Sequence, residues 1–145
     1  MLKNIDSLLS PDLLRVLRAM GHGDEIAIVD ANFPAASTAK RLIRLDGATA
    51  PRALDAVLSV MPLDDFVDNA AFRMEVVGDA LAEVPIYDDF RATLAKHETG
   101  KAAALARLDR HAFYARANNA FAIIATTETR LYGNILLVKG VIRPT

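Results

Sequence analysis

Glu25-Ile26-Ala27-Ile28-Val29-Asp30 is short, apolar and partly β-branched, so it reads as a buried strand ending at Asp30. A helix is expected just upstream. Ser10-Pro11-Asp12 supplies a hydroxyl N-cap, a proline where no N–H is needed and an acid in the electropositive first turn. Leu13, Val16, Leu17 and Met20 then recur at helical spacing and give one apolar face. Gly21 is the expected stop, because glycine takes the left-handed conformation after a last helical turn without a Cβ penalty. Downstream, Asn32-Phe33-Pro34 reads as an irregular turn, since the residue before proline is driven to extended conformations.

The remainder repeats this mixture. Residues 42–45 read as a second strand closed by the Asp46-Gly47 turn. Pro51 opens a helix with Leu54, Val57, Leu58 and Met61 on one face, and Pro62 closes it. Residues 72–77 alternate apolar and polar, as a half-buried strand does, with Gly78-Asp79 turning the chain. Ile86, Phe90 and Leu94 share a helical stripe, residues 105–108 suggest a short strand, and residues 110–118 a helix. Two last strands are expected over 121–127 and 135–138. Helices interleaved with apolar strands define an α/β protein with a central sheet covered by helices, a single domain over residues 1–145.

Composition narrows the function classes. A chain of 145 residues is one domain's worth at the usual ~100–200 residues per domain, with enough length for its own core. Seventeen basic against eighteen acidic residues leave a net charge of −1, so no electrostatic footprint for nucleic acid or anionic lipid is present. The absence of cysteine removes disulfides, thiol nucleophiles and thiolate metal sites. The start Met1-Leu2-Lys3-Asn4-Ile5-Asp6 lacks the pattern of a secretory signal, and no apolar run approaches the ~20 residues a membrane span needs, so a cytoplasmic location without membrane attachment is expected.

Several familiar chemistries lack their parts. Gly21 and Gly23 begin a G-x-G-x-x-G pattern, but the third position is Ile26 and the glycines precede a strand rather than follow one. There is no phosphate-binding G-x-x-x-x-G-K-[ST] loop, no G-x-S-x-G elbow, and His22, His97 and His111 form no zinc-type pair. Redox, phosphoryl-transfer and covalent acyl chemistry therefore lack their parts, and a histidine-rich zinc site is not expected.

Four constellations remain, each open to two readings. His22, between Gly21 and Gly23, is unshielded by its neighbours and carries the side chain that titrates nearest neutrality; it fits a proton donor or a plain turn after a helix. Asp30 at the carboxyl end of a buried strand fits either an acceptor for two hydroxyls of a polyol or a turn-forming acid bonded to nearby N–H groups. Arg110, Phe113 and Tyr114 share a helix face, as binding groups or as core and solvated surface. Tyr132-Gly133-Asn134 offers a stacking hydroxyl, exposed backbone and an amide, or an ordinary hairpin turn.

Together and in this order the segments resemble the RbsD/FucU family of sugar mutarotases and pyranases. The resemblance runs through Ser10-Pro11-Asp12-Leu13-Leu14, Met20-Gly21-His22-Gly23-Asp24-Glu25-Ile26, Asp30-Ala31-Asn32-Phe33-Pro34-Ala35, Ile43-Arg44-Leu45-Asp46-Gly47, Phe113-Tyr114-Ala115-Arg116-Ala117 and Tyr132-Gly133-Asn134-Ile135-Leu136-Leu137. Gly23 and Gly133 stand where the ribose pyranases tend to have Thr and Ala, which places the chain nearer the fucose mutarotase branch.

The resemblance implies a proton donor at His22 and sugar-hydroxyl ligation by Asp30, Arg110 and the Tyr132-Gly133-Asn134 loop, with Asn32 and Tyr114 as further contacts. It implies isomerase chemistry on a monosaccharide such as fucose, no cofactor, and a ring-like homo-oligomer, commonly a decamer, with the sugar near a subunit interface. Ribose pyranase activity and non-catalytic sugar binding linked to transport are the alternatives. Asn32 stands where histidine is usual in the fucose branch, His111 replaces an apolar aromatic, and Ala115 replaces an acid.

Overall fold

The computed structural model describes residues 1–145. Six strands, β1 (Glu25–Val29), β2 (Leu42–Leu45), β3 (Ala71–Met74), β4 (Ala106–Leu108), β5 (Ala122–Thr126) and β6 (Ile135–Val138), form one sheet in the order β2-β5-β1-β6-β3-β4. Strands β2, β5 and β1 run parallel, β3 and β4 run parallel to each other, and β6 lies antiparallel to both β1 and β3. Five strands therefore point one way and β6 alone the other. The consequence for function is direct: residues that follow β1, β3, β4 and β5 and those that precede β6 all emerge at one edge of the sheet.

Both faces of the sheet are covered. Helices α1 (Pro11–Ala19), α3 (Ala50–Leu58) and α4 (Pro85–His97) pack on one face with Ile26, Ile28, Ile135 and Leu137. Helices α2 (Ala35–Thr38) and α5 (Arg110–Asn119) cover the other, where Ala27, Val29, Leu136, Phe113 and Ala117 meet. The alternation of Ile26 and Ile28 with Ala27 and Val29 between the two layers follows from the two-residue period of a strand. It explains why β1 carries no polar residue between Glu25 and Asp30.

Sequence signals set most helix starts. Ser10 Oγ accepts the Leu13 N–H, Thr49 Oγ1 the Arg52 N–H and an Asp109 carboxylate oxygen the Ala112 N–H. Three expectations need correction. First, Gly21 does not end α1: Met20 is already extended after Ala19, and the left-handed residue is Gly23 at φ 86°. The Lys139 ammonium bonds the orphan carbonyls of Leu17 and Met20, so a lysine side chain from the far end of the sequence closes the helix.

Second, the strand expected over 72–77 stops at Met74, because Gly78 at φ 80° folds the chain back and Val76 bridges Asp79. Its alternation is not that of a half-solvated strand. Arg73 is buried, with its guanidinium 4.1 Å from the centre of the Tyr87 ring, and Arg116 lies over Phe72 at 4.2 Å. Third, Tyr132-Gly133-Asn134 is no hairpin turn, since β1 lies between β5 and β6.

Candidate active site

Asp30 is the hub of the edge where the strands end. Its Oδ1 accepts the N–H groups of Asn32 (3.0 Å) and Phe33 (3.1 Å), and its Oδ2 accepts that of Gly133 (3.1 Å). Its own N–H is taken by Asn134 Oδ1 at 2.9 Å. The local turn and the long-range tie are thus both made by one carboxylate, which joins the 30–34 turn to the loop before β6. Burial pushes the Asp30 pKa above the usual aspartate value even against these hydrogen bonds. A carboxylate has about four lone-pair positions, so Asp30 keeps one for a further donor.

The neighbouring groups are held as firmly. With Oδ1 of Asn134 committed to a backbone donor, its Nδ2 is the half left for a ligand. Tyr132 occupies the left-handed region at φ 61°, a strained conformation for a non-glycine residue. Its hydroxyl accepts the Val77 N–H at 3.2 Å, which leaves the phenolic proton free to donate. Arg110 is the first residue of α5, just beyond the end of β4, and its guanidinium sits 5.4 Å from the Tyr114 ring centre. Tyr114 stacks on Phe33 with ring centres 5.0 Å apart.

These side chains line a cavity of about 180 Å³ containing Asp30, Asn32, Arg110, Tyr114, Tyr132 and Asn134. So six of the eight residues singled out from the sequence come together. Gly133 does not line the cavity: its N–H is spent on Asp30, and a Cβ there would stand 2.8 Å from Glu128 Cγ and 3.0 Å from Ile86 Cδ1. It is a close-packing residue behind the wall.

His22 lies elsewhere. It precedes β1 while Asp30 follows it, so a five-residue strand, about 17 Å of rise, separates them. There the His22 Nε2 is 3.1 Å from Asp64 Oδ1, and its ring lies 5.4 Å from that of Phe66. Asp64 is buried, and its Oδ1 also accepts the Phe66 N–H at 3.0 Å. The imidazole itself is half exposed, with Nδ1 unassigned to any protein partner.

Two residues that sequence reasoning passed over organise these surroundings. Asp64 anchors His22; nothing in Pro62-Leu63-Asp64 distinguishes it from a helix-terminating loop. Glu128 is buried and accepts from Ala50 N and from the N, Nε and Nη2 of Arg130, while its carbonyl takes the Ala31 N–H. Burial pushes Glu128 up, but the Arg130 guanidinium and the Arg130 and Ala50 N–H groups outweigh it, so its pKa falls below the usual range. No group of three or more His, Cys, Asp or Glu side chains is placed to hold a metal ion. No helix is long and apolar enough to cross a membrane.

A buried carboxylate, a free amide, two phenols and a guanidinium around a small open cavity define an α/β protein equipped to hold a compact polyhydroxylated molecule by directional hydrogen bonds. The chain belongs to the RbsD / FucU transport protein family, whose model matches residues 3–142. It is 44% identical over 147 residues to a human fucose mutarotase, covering 97% of this chain and 94% of that one. The crystal structure of a Streptococcus pneumoniae fucose mutarotase in complex with L-fucose superposes with a TM-score of 0.90 at 46% identity, covering 98% of this chain and all of that one. The Bacillus subtilis RbsD structure with D-ribose has a TM-score of 0.76 at 20% identity, covering 99% of this chain and 100% of that one, and shares the fold.

Proposed function

We propose that this protein is an L-fucose mutarotase, an isomerase that interconverts the α and β anomers by opening the hemiacetal ring and closing it on the other face. The observation that carries the reading is the Asp30-centred hydrogen-bonding cavity in a chain 46% identical, over nearly its whole length, to a fucose mutarotase crystallised with L-fucose. The chemistry needs a proton to leave the anomeric hydroxyl while another reaches the ring oxygen. Positioned acids and bases contribute about 10²–10⁴-fold to such a step, and no covalent intermediate is required.

In this reading Asp30 accepts a sugar hydroxyl with its remaining lone pair, and its raised pKa makes it a better proton acceptor than a solvated carboxylate. Asn134 Nδ2 and the Tyr132 hydroxyl donate to neighbouring oxygens, and Arg110 offsets negative charge that develops as the anomeric proton leaves. The acid is His22 of the partner subunit. Two features support a divided site. The cavity, at about 180 Å³, is smaller than the ~300–1,000 Å³ usual for ligand pockets and lacks a histidine.

The ring of Phe66, which stands beside His22, is also exposed, as an apolar side chain covered by a second copy would be in a single chain. A contact between unlike ends of the strand is head-to-tail, and such contacts form a ring when the rotation between copies closes. The assembly is a ring-like homo-oligomer, a decamer by family resemblance, working in the cytoplasm. Saturation-transfer NMR on L-fucose tests the activity: catalytic amounts of protein accelerate α/β exchange beyond the buffer rate, and exchange at the buffer rate alone refutes it.

A further inference from the structure

Proton transfer and hydroxyl binding account for the polar wall of the cavity but not for its carbon. Met74, Val77 and Leu131 line the same space. Met74 is buried, yet Val77 and Leu131 are 60% and 65% exposed. This apolar corner is anchored. The Val77 N–H donates to the Tyr132 hydroxyl at 3.2 Å, the Met74 carbonyl accepts from the Tyr87 hydroxyl at 2.7 Å, and Leu131 adjoins the strained Tyr132 in the chain. Apolar side chains carried on an anchored backbone at the mouth of a hydrogen-bonding cavity are suited to a ligand with one apolar substituent.

L-Fucose has one such substituent, the methyl on C5, directly beside the ring oxygen. We propose that Val77 and Leu131, with Met74 in the same lining, form the seat for this methyl group, selecting 6-deoxy sugars and fixing where the ring oxygen lies for protonation. The identity of the sugar rests on the L-fucose reading; the seat itself rests on the lining of the cavity.

Two sugars isolate the group. D-Arabinopyranose presents the same ring with hydrogen in place of the methyl, and L-galactose presents it with hydroxymethyl. A methyl-sized difference in an apolar pocket is worth about 10–200-fold, and an added hydroxyl is rejected by up to about 10²-fold. The wild-type protein is expected to prefer L-fucose to D-arabinose by about tenfold or more, in kcat/KM for anomer exchange and in calorimetric Kd. Val77→Ser and Leu131→Ser, at exposed positions that tolerate substitution, are expected to lower that ratio several-fold, with the loss falling on L-fucose.

A ratio near one in the wild type, an unaltered ratio in both variants, or an equal loss on all three sugars overturns the seat; the last would mark these side chains as subunit contacts. If no sugar shows accelerated exchange, the mutarotase reading fails, and the ratio of Kd values still decides the seat.

Discussion

The two ends of β1 are built on opposite principles. At its carboxyl end Asp30, Gly133 and Asn134 are buried and mutually bonded, so the groups left over for a ligand are few and fixed in direction. At its amino end His22 is half exposed, held by a single buried carboxylate and flanked by the exposed ring of Phe66. One end has the character of a receptor and the other of a projecting group. Since a rigid strand keeps them apart within one chain, a joint role requires two copies.

Removing His22 gives the largest expected change and separates the ends most sharply. His22→Ala should lower L-fucose anomer exchange by about 10²–10⁴-fold while sugar binding, measured by calorimetry, stays close to wild type. A parallel loss of binding would move His22 into the receptor half. Asp30→Ala should act on both properties. Three backbone N–H groups lose their acceptor, at about 1–3 kcal/mol each when left unpaired, offset in part by relief of a buried charge. A net destabilisation of about 2–4 kcal/mol in urea unfolding, together with loss of sugar binding, is expected.

Gly133→Ala sharpens the distinction between a contact and a support. Its Cβ would meet Glu128 Cγ at 2.8 Å and the Arg130 carbonyl at 3.2 Å, an overpacking cost of about 1–3 kcal/mol. Displacing the loop also weakens the Gly133 to Asp30 bond, so KM should rise more than kcat falls. The smallest effect concerns pH. Glu128 has a lowered pKa in the fold, so the stability it contributes is present at neutral pH and drains away as pH falls through about 4.3 and below. Asp30 has a raised pKa, so its contribution runs the other way and declines as pH rises through about 3.9. Glu128→Gln should flatten the acid side of a plot of urea midpoint against pH, a change that Asp30→Asn would not produce.

Much of this was legible in the sequence because local physics sets it. Ser10-Pro11-Asp12 caps α1, the apolar block before Asp30 forms β1, and the helix expected over 110–118 is α5. What was not legible depends on distant partners. No spacing rule could reveal that β6 inserts antiparallel between β1 and β3, yet this brings Asn134 to Asp30.

The short helix α2 and the 3-10 turn at Gly100–Ala103 passed unrecognised because four-residue elements carry too few positions for a periodic signal. Arg73 looked like the solvent side of a strand, and only the Tyr87 ring across the sheet face makes its burial tenable. Asp64 and Glu128 gave no motif, since their distant partners, the His22 ring and the Ala50 N–H, are met only in space.

Mixed oligomers of two inactive variants test the divided site most directly. His22→Ala retains a complete receptor edge, and Asn134→Ala retains a complete donor edge. If each site joins unlike edges of two copies, random co-assembly of equal amounts restores about one quarter of the sites, and L-fucose exchange should return to about 25% of wild type. Mixed oligomers as inactive as their parents would mean that His22 and the Asp30 cavity do not combine across subunits, which contradicts the divided site.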